Sequence, residues 1–194
     1  MFAFKSKVSR LVAATALLFM AVSASPADLR AVNVELEGGR YLLVSEAWLN
    51  VSPDALYRML TDYDLFVKFS SSFVESRNLA PTADGEPRFF TRMEACVLWF
   101  CKSFKRNGHL ILEPPFDIAS AADPETSDFD YSHESWRLSP EDEGTLMTYT
   151  FDMDPSFWVP PIVGPFFMKR ALLNSGEDAI NRIEAVAQGR EPEN

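Results

Sequence analysis

The chain has 194 residues, 47% of them hydrophobic and 24% charged, and a formal net charge of −10. That composition is one compact globular domain with enough apolar material for a core. Its acidity speaks against nucleic acid as a partner and against long-range attraction to anionic lipid.

The first residues do not belong to that domain. Lys5, Lys7 and Arg10 make a basic start, Leu11 to Val22 an apolar run, and Val22-Ser23-Ala24 a small-residue cleavage site. The pattern predicts a signal peptide over residues 1–24, with cleavage after Ala27 as the alternative. About a dozen apolar residues fall short of the ~20 needed to span a bilayer, which disfavours an uncleaved anchor. No lipobox cysteine is present. The expectation is an exported, soluble protein, periplasmic in a Gram-negative cell and secreted otherwise. Loss of the leader's three positive charges takes the formal charge from −10 to −13.

Residues 28–190 then read as a single domain. Arg30–Glu37 and Arg40–Val51 flank Gly38-Gly39, the pattern of a β-hairpin. Ser52 as N-cap, Pro53 at the first helical position and Asp54 in the first turn open a short helix that ends near Thr61. Asp62-Tyr63-Asp64 opens a second through Phe66, Val67 and Phe69, with Asp62 read as its cap rather than as half of a carboxylate pair. Strands are predicted at Phe73–Leu79, Arg88–Cys96, Cys101–Glu113, Phe116–Ala121, Phe129–Leu138 and Thr145–Met153. In the last, Met147, Tyr149, Phe151 and Met153 share one face.

From Asp154 the chain changes character. Pro155–Met168 carries no charged side chain before Lys169, yet holds Phe157, Trp158, Phe166 and Phe167, with four prolines and a glycine. It reads either as a portal that touches a membrane transiently, with Trp158 at the interface, or as a buried connection with Pro161 or Pro165 opening a helix. The continuation to Ala187 is amphipathic. Met168, Leu172, Ser175/Gly176, Ala179, Ile183 and Val186 recur at helical spacing. The predicted fold class is therefore α+β: an antiparallel sheet with two short helices after its first strands and a long C-terminal helix across its concave face.

VSPDALYRMLTDYDLFVKFSSSFVESR resembles the opening of START-type domains of the SRPBCC superfamily. SDFDYSHESWRL followed by GTLMTYTFDMDPSFWVPPIVGPFFMKRAL is similar to their later part. The nearest branch is the polyketide cyclase/dehydrase-like and coenzyme-Q-binding START-like group. The likeness runs from about Val32 to Ala187, and Thr61-Asp62-Tyr63-Asp64 and Phe157-Trp158-Val159-Pro160-Pro161 are its most specific parts. It implies a helix-grip fold with a hydrophobic tunnel under the C-terminal helix. It names no ligand, because members bind lipids, quinones, hormones and polyketides. The export signal and the cysteine pair depart from the quinone-binding branch.

Catalytic patterns are scarce. His109 and His133 lie on different predicted strands, and there is no Cys/His metal spacing, phosphate loop or nucleophile elbow. His133 and Glu134, as strand neighbours, point to opposite faces and read as surface residues. No catalytic residue, metal or cofactor is expected. The aromatics Phe66, Phe69, Trp136, Tyr149, Phe151, Phe157, Trp158 and Phe167, with Met168 and Leu172, are the candidate lining of an apolar pocket, and plain core packing is the alternative for each.

Cys96 and Cys101 would sit about 16 Å apart on one unbroken strand, beyond the ~7 Å a disulfide allows. They can pair only if Val97–Phe100 turns the chain, and VLWF is a poor turn. Export and their closeness in sequence weigh for a disulfide staple, with two reduced core thiols as the alternative.

The functional expectation is a monomeric carrier of a hydrophobic small molecule: a lipid, an isoprenoid or a quinone-like compound. One alternative is a cyclase or dehydratase-type enzyme, with Tyr149, His133 or an acid moving a proton. Another is an interaction module whose pocket its own side chains fill. Polar groups converging in the interior would favour the enzyme, and an apolar lining the carrier.

Overall fold

The computed structural model describes residues 27–97, 100–159 and 164–192, apart from the side chains of 95–97, 100, 165, 167–168 and 171–175. The expected leader and the Pro160-Pro161 pair lie outside the described residues. Eight antiparallel strands form one curved sheet in the order β1-β2-β8-β7-β6-β5-β4-β3. They are β1 Asp28–Glu37, β2 Arg40–Leu49, β3 Phe73–Leu79, β4 Arg88–Val97, β5 Phe100–Glu113, β6 Asp117–Ala122, β7 Phe129–Glu141 and β8 Gly144–Pro155. The helices are α1 Pro53–Leu60, α2 Phe66–Phe69 and α3 Gly164–Ala187. This is the helix-grip arrangement, with β2 pairing to β8 to bring the chain's two ends together.

Local chemistry accounts for the joints. Gly38 and Gly39 both adopt positive φ, +60° and +97°, as a two-residue turn of this kind demands. Ser52 Oγ accepts from Ala55 N and caps α1, with Pro53 at the helix start. Tyr63–Leu65 is a 3-10 turn leading into α2. Asp62 Oδ1 accepts from Asp64 N at 3.1 Å and from Asn78 Nδ2 at 2.7 Å, while Asp64 Oδ1 accepts from Asn78 N at 2.9 Å. Asn78 Oδ1 in turn accepts from Tyr63 N at 3.1 Å. Asp62 thus serves as a cap, and the two aspartates pin the turn to β3 instead of forming a reactive pair.

The register assigns the faces. Phe89 and Thr91 of β4, Arg106 and Leu110 of β5, Ile118 and Ser120 of β6, and Ser132, Glu134, Trp136 and Leu138 of β7 look inward and are buried. The helices close over them. Ile180 and Ile183 of α3 join Leu56, Met59, Leu60, Tyr63, Phe66 and Phe69 in one cluster with Leu49, Trp136 and Met147. Each such fully buried side chain contributes about 1.5–3 kcal/mol. The last turns of α3 are tied to the β2–α1 connection, since Glu184 Oε2 accepts from Asn50 N at 2.9 Å and Gln188 Nε2 donates to Asn50 O at 3.0 Å. Gly176 sits where β1 comes close, because a Cβ there would meet Leu29 Cδ2 at 2.8 Å.

One pairing runs against its sequence. VLWF is a poor reversal, yet Val97 pairs antiparallel with Phe100. Cys96 therefore lies directly opposite Cys101 in the antiparallel register instead of along one strand from it.

Candidate functional site

Strand alternation places an arginine, Arg106, among inward-facing apolar positions of β5, and a glutamate, Glu134, likewise on β7. Neither can be buried alone without a large desolvation cost. They meet across Ser120 of the intervening strand β6. Arg106 Nη1 donates to Glu134 Oε2 at 2.5 Å, Nε to Ser132 Oγ at 2.8 Å and Nη2 to Ser120 Oγ at 3.1 Å. Ser120 Oγ also donates to Glu134 Oε2, and Tyr149 Oη donates to Glu134 Oε1 at 2.6 Å. Both charged side chains are almost fully enclosed, at 3% and 6% exposure. The expectation of a surface Glu134 is thus corrected: strand parity sends Glu134 inward beside Trp136, while His133, its neighbour, falls on the outer face opposite Asp152.

The rings of Phe89 and Phe151 lie over the Arg106 guanidinium at 5.3 and 4.9 Å. Burial disfavours the Arg106 charge, but the Glu134 carboxylate and the neighbouring Tyr63 and Tyr149 oxygens together outweigh it, and the pKa rises. Burial, and then the charge of Glu134, push the Tyr149 phenol well above its ordinary value. Tyr63, fully buried and stacked on Phe66 and Phe89, is raised for the same reasons. Among the described residues, Tyr63 Oη lies near Ser120 without a well-formed hydrogen bond.

The sequence-predicted aromatics divide around this cluster. Phe66 and Phe69 fill the interior from α2, 5.1 Å apart, and Phe66 meets Trp136 edge-on at 6.1 Å. From Trp136 the rings continue through Tyr149 at 5.5 Å, Phe151 at 6.5 Å, Phe129 at 6.2 Å and Phe157 at 6.3 Å. Phe129 and Phe104, which extend this track, were not singled out in the sequence. Phe157 ends it at the edge of the fold, with Lys102 Nζ 5.0 Å over its ring. Trp158, the next residue, is not in the track and is 80% exposed, and Phe166 is 63% exposed. Phe167, Met168 and Leu172 belong to α3, but their side chains lie outside the described residues.

Burial along the track is uneven. On the inner face of β8, Met147 and Met153 are buried while Tyr149 and Phe151 between them are only half-buried. On β2, Leu43 and Ala47 are buried, and Ser45, the register partner of Tyr149, is half-buried. Cover is therefore less complete over Ser45, Tyr149 and Phe151 than over their strand neighbours. A recess of about 170 Å³ lined by Leu36, Tyr41, Phe157 and Val159 lies at the outer end of the track. A larger open groove of about 440 Å³ lies mainly on the opposite face of the sheet, lined by Ile111, Asp117, Ala119, Ser135 and Arg137, and also touches Ile118 and Trp136. Among the described residues, no group of three or more His, Cys, Asp or Glu is placed to hold a metal, and no helix is long and apolar enough to cross a membrane.

The signal for Arg106 and Glu134 was present in the sequence. Phe104, Arg106, Gly108 and Leu110 share one parity on β5, as do Ser132, Glu134, Trp136 and Leu138 on β7. A charged residue of each sign in otherwise apolar parity marks a buried pair.

Comparison with known proteins agrees with this architecture. A family model described as polyketide cyclase/dehydrase and lipid transport matches residues 49–178. No curated protein matches the sequence. Among solved structures, a START superfamily protein from Mycobacterium smegmatis superposes with a TM-score of 0.57 at 16% identity, covering 76% of this chain and 97% of that one. Human STARD10 gives 0.56 at 11% identity, covering 81% and 73%. The Zhui aromatase/cyclase from Streptomyces sp. R1128 gives 0.52 at 14%, covering 77% and 94%. At such identities the likeness is one of fold.

Proposed function

Because this chain belongs to the polyketide cyclase/dehydrase and lipid transport family of the START/SRPBCC superfamily, whose members bind lipids or act as cyclases, we propose that it carries a hydrophobic small molecule: a lipid, an isoprenoid or a quinone-like compound. The observation that carries this reading is the incomplete cover over Ser45, Tyr149 and Phe151, continued by aromatic rings out to Phe157 beside a recess of about 170 Å³. An apolar molecule lying along that track would complete the burial that the side chains leave unfinished.

The buried polar cluster favours a second reading, a cyclase or dehydratase-type enzyme. Its best-placed proton carrier is Tyr149, and the raised pKa of that phenol weighs against acid–base work near neutral pH. Carriage needs no such proton transfer, and we rank it first.

The remaining expectations complete the proposal. The carrier is exported, works as a monomer, and presents Trp158 and Phe166 to a membrane while cargo passes. Cys96 and Cys101, paired in register at the tip of β4 and β5, are bridged as a staple. Mass spectrometry with alkylation before and after reduction checks the bridge, and two alkylatable thiols in the unreduced protein would refute it.

Native mass spectrometry of the full chain purified from its own cell envelope, followed by lipid extraction, tests the carrier. A co-purifying apolar mass supports it and identifies the cargo. An empty protein that also takes up no lipid or quinone overturns it and leaves a pocket filled by its own side chains. Turnover of an added substrate would select the enzyme.

A further inference from the structure

Beyond its neighbours, the β4–β5 pair continues as a ribbon of two strands. The register of β3 with β4 ends at Met93, and Glu94 N donates to Ser72 O at 2.8 Å just past it. On the other side, β6 pairs with β5 only from Gly108 onward. The loop after β6 reaches no further than Asn107 and Lys105, whose carbonyls accept from Asp123 N and Asp128 N. Among the described residues, 95–97 and 100–104 therefore have only each other as backbone partners. A two-stranded ribbon is marginal in water without further support. Val97-Leu98-Trp99-Phe100 holds no Gly, Pro, Asn or Asp to favour antiparallel pairing by itself. A bridge between Cys96 and Cys101, direct register partners in this ribbon, supplies the missing constraint.

The same ribbon grips the connection that follows β8. Lys102 and Phe104 share the inward parity of Arg106. Lys102 Nζ stands 5.0 Å over the Phe157 ring, and Phe104 stacks on that ring at 6.1 Å. Phe129 of β7 meets it edge-on at 6.3 Å. Among the described residues, two of the three groups against Phe157 thus belong to the ribbon. Phe157 also walls the recess at the outer end of the track, with Leu36, Tyr41 and Val159. Where the ribbon stands decides how firmly that wall is held.

We propose that the Cys96–Cys101 bridge is a redox latch on the outer end of the track. Oxidised, it keeps Lys102 and Phe104 on Phe157 and that end closed. Reduced, it lets the ribbon fray and Phe157 lift, which opens the end to cargo. Cys101 is exposed, so a dithiol reductant can reach it. The step is a two-electron exchange. The S–S bond breaks, each sulfur leaves as a thiol, and the dithiol that supplies the electrons and protons closes to its own disulfide. This deepens the carrier reading and rests on it, and on the bridge proposed with it.

The test compares the full chain before and after treatment with excess dithiothreitol, with alkylation to count thiols. Proton NMR of the oxidised protein should show cross-peaks between the Phe104 and Phe157 rings. Reduction should abolish them and leave those between Trp136 and Tyr149, which adjoin at 5.5 Å away from the ribbon. Release of preloaded N-phenyl-1-naphthylamine, a neutral apolar fluorophore, should become about tenfold faster. The double variant Cys96→Ser/Cys101→Ser should match the reduced protein and ignore the dithiol. Phe104–Phe157 cross-peaks that survive complete reduction overturn the latch, leave the bridge a plain staple and leave the carrier standing. Loss of the Trp136–Tyr149 cross-peaks as well also overturns it, because the bridge would then hold the whole fold and not one end. Two alkylatable thiols before reduction remove the bridge and the latch together. A fluorophore that binds in neither state counts against the carrier reading, while the ring cross-peaks still decide whether Phe157 moves. The comparison of oxidised with reduced wild type needs no variant, so poor folding of the double variant does not remove the test.

Discussion

Arg106 and Glu134 are 28 residues apart in the chain and form a 2.5 Å ion pair inside the sheet, with Ser120 bridging them from the strand between. Two charges held at 3% and 6% exposure cannot be treated as a surface pair worth under ~1 kcal/mol. Removing one strands the other in a medium that solvates it poorly.

Single replacements Arg106→Met and Glu134→Leu should each cost about 3–5 kcal/mol of folding stability. The double replacement should cost far less than their sum, because it strands no charge. Urea unfolding of the four proteins of this cycle measures both. Additive losses would mean that the pair is not coupled as the structure has it.

Stability should fall at alkaline pH in a way traceable to two tyrosines. Burial and Glu134 raise the phenols of Tyr63 and Tyr149 above the ordinary value. Below about pH 10 both are protonated in the folded and unfolded chains, so the neutral rings are accommodated without loss. Above it the unfolded chain releases protons that the folded one keeps. The folded state is then disfavoured by up to ~1.4 kcal/mol per pH unit for each tyrosine. Thermal unfolding from pH 8 to 11 should show this decline, and Tyr63→Phe should reduce its slope. An unchanged slope in that variant would assign the effect elsewhere.

Asp62→Ala should cost about 1–2 kcal/mol, since Asp62 Oδ1 holds both Asp64 N and Asn78 Nδ2. Asn78→Ala should cost a similar amount, and the double variant little more than either, because they share one network. Hydrogen exchange at Tyr63 and Asp64 should speed up in both.

Two glycines should respond very differently to alanine. A Cβ at Gly108 would stand 2.0 Å from the backbone oxygen of Ala121, which the sheet cannot move, and Gly108→Ala should cost about 3 kcal/mol or more. At Gly176 the obstacle is Leu29 Cδ2 at 2.8 Å, the end of a flexible side chain. Helix propensity gains ~1 kcal/mol there, so Gly176→Ala should fall within about 0.5 kcal/mol of wild type. Chemical denaturation of the two variants separates these cases.

Much of the fold was legible because its signals are local. The alternation in Phe129–Leu138 and Thr145–Met153 marked strands that the structure extends to Phe129–Glu141 and Gly144–Pro155. Ser52, Pro53 and Asp62 announced the helix starts, and Gly38-Gly39 the first hairpin. The antiparallel pairing of Val97 with Phe100 was not legible, because VLWF favours extended backbone and the register is set by the two strands as a whole.

The candidate site was legible as an inventory and not as an arrangement. Trp136, Tyr149, Phe151 and Phe157 were singled out as apolar rings; the first three adjoin in turn, and Phe157 joins them only through Phe129. Sequence alone also determined the order of elements and the amphipathic C-terminal helix, since each depends on residues a few positions apart; the parity of Arg106 and Glu134 lay in the same alternation, but Glu134 was expected at the surface. Only the tertiary structure decided that those two charges face each other, that Tyr149 spends its proton on Glu134, and that Ser45, Tyr149 and Phe151 remain half-covered. Those relationships are set by strand order and register across the sheet, where partners tens of residues apart are brought within one hydrogen bond.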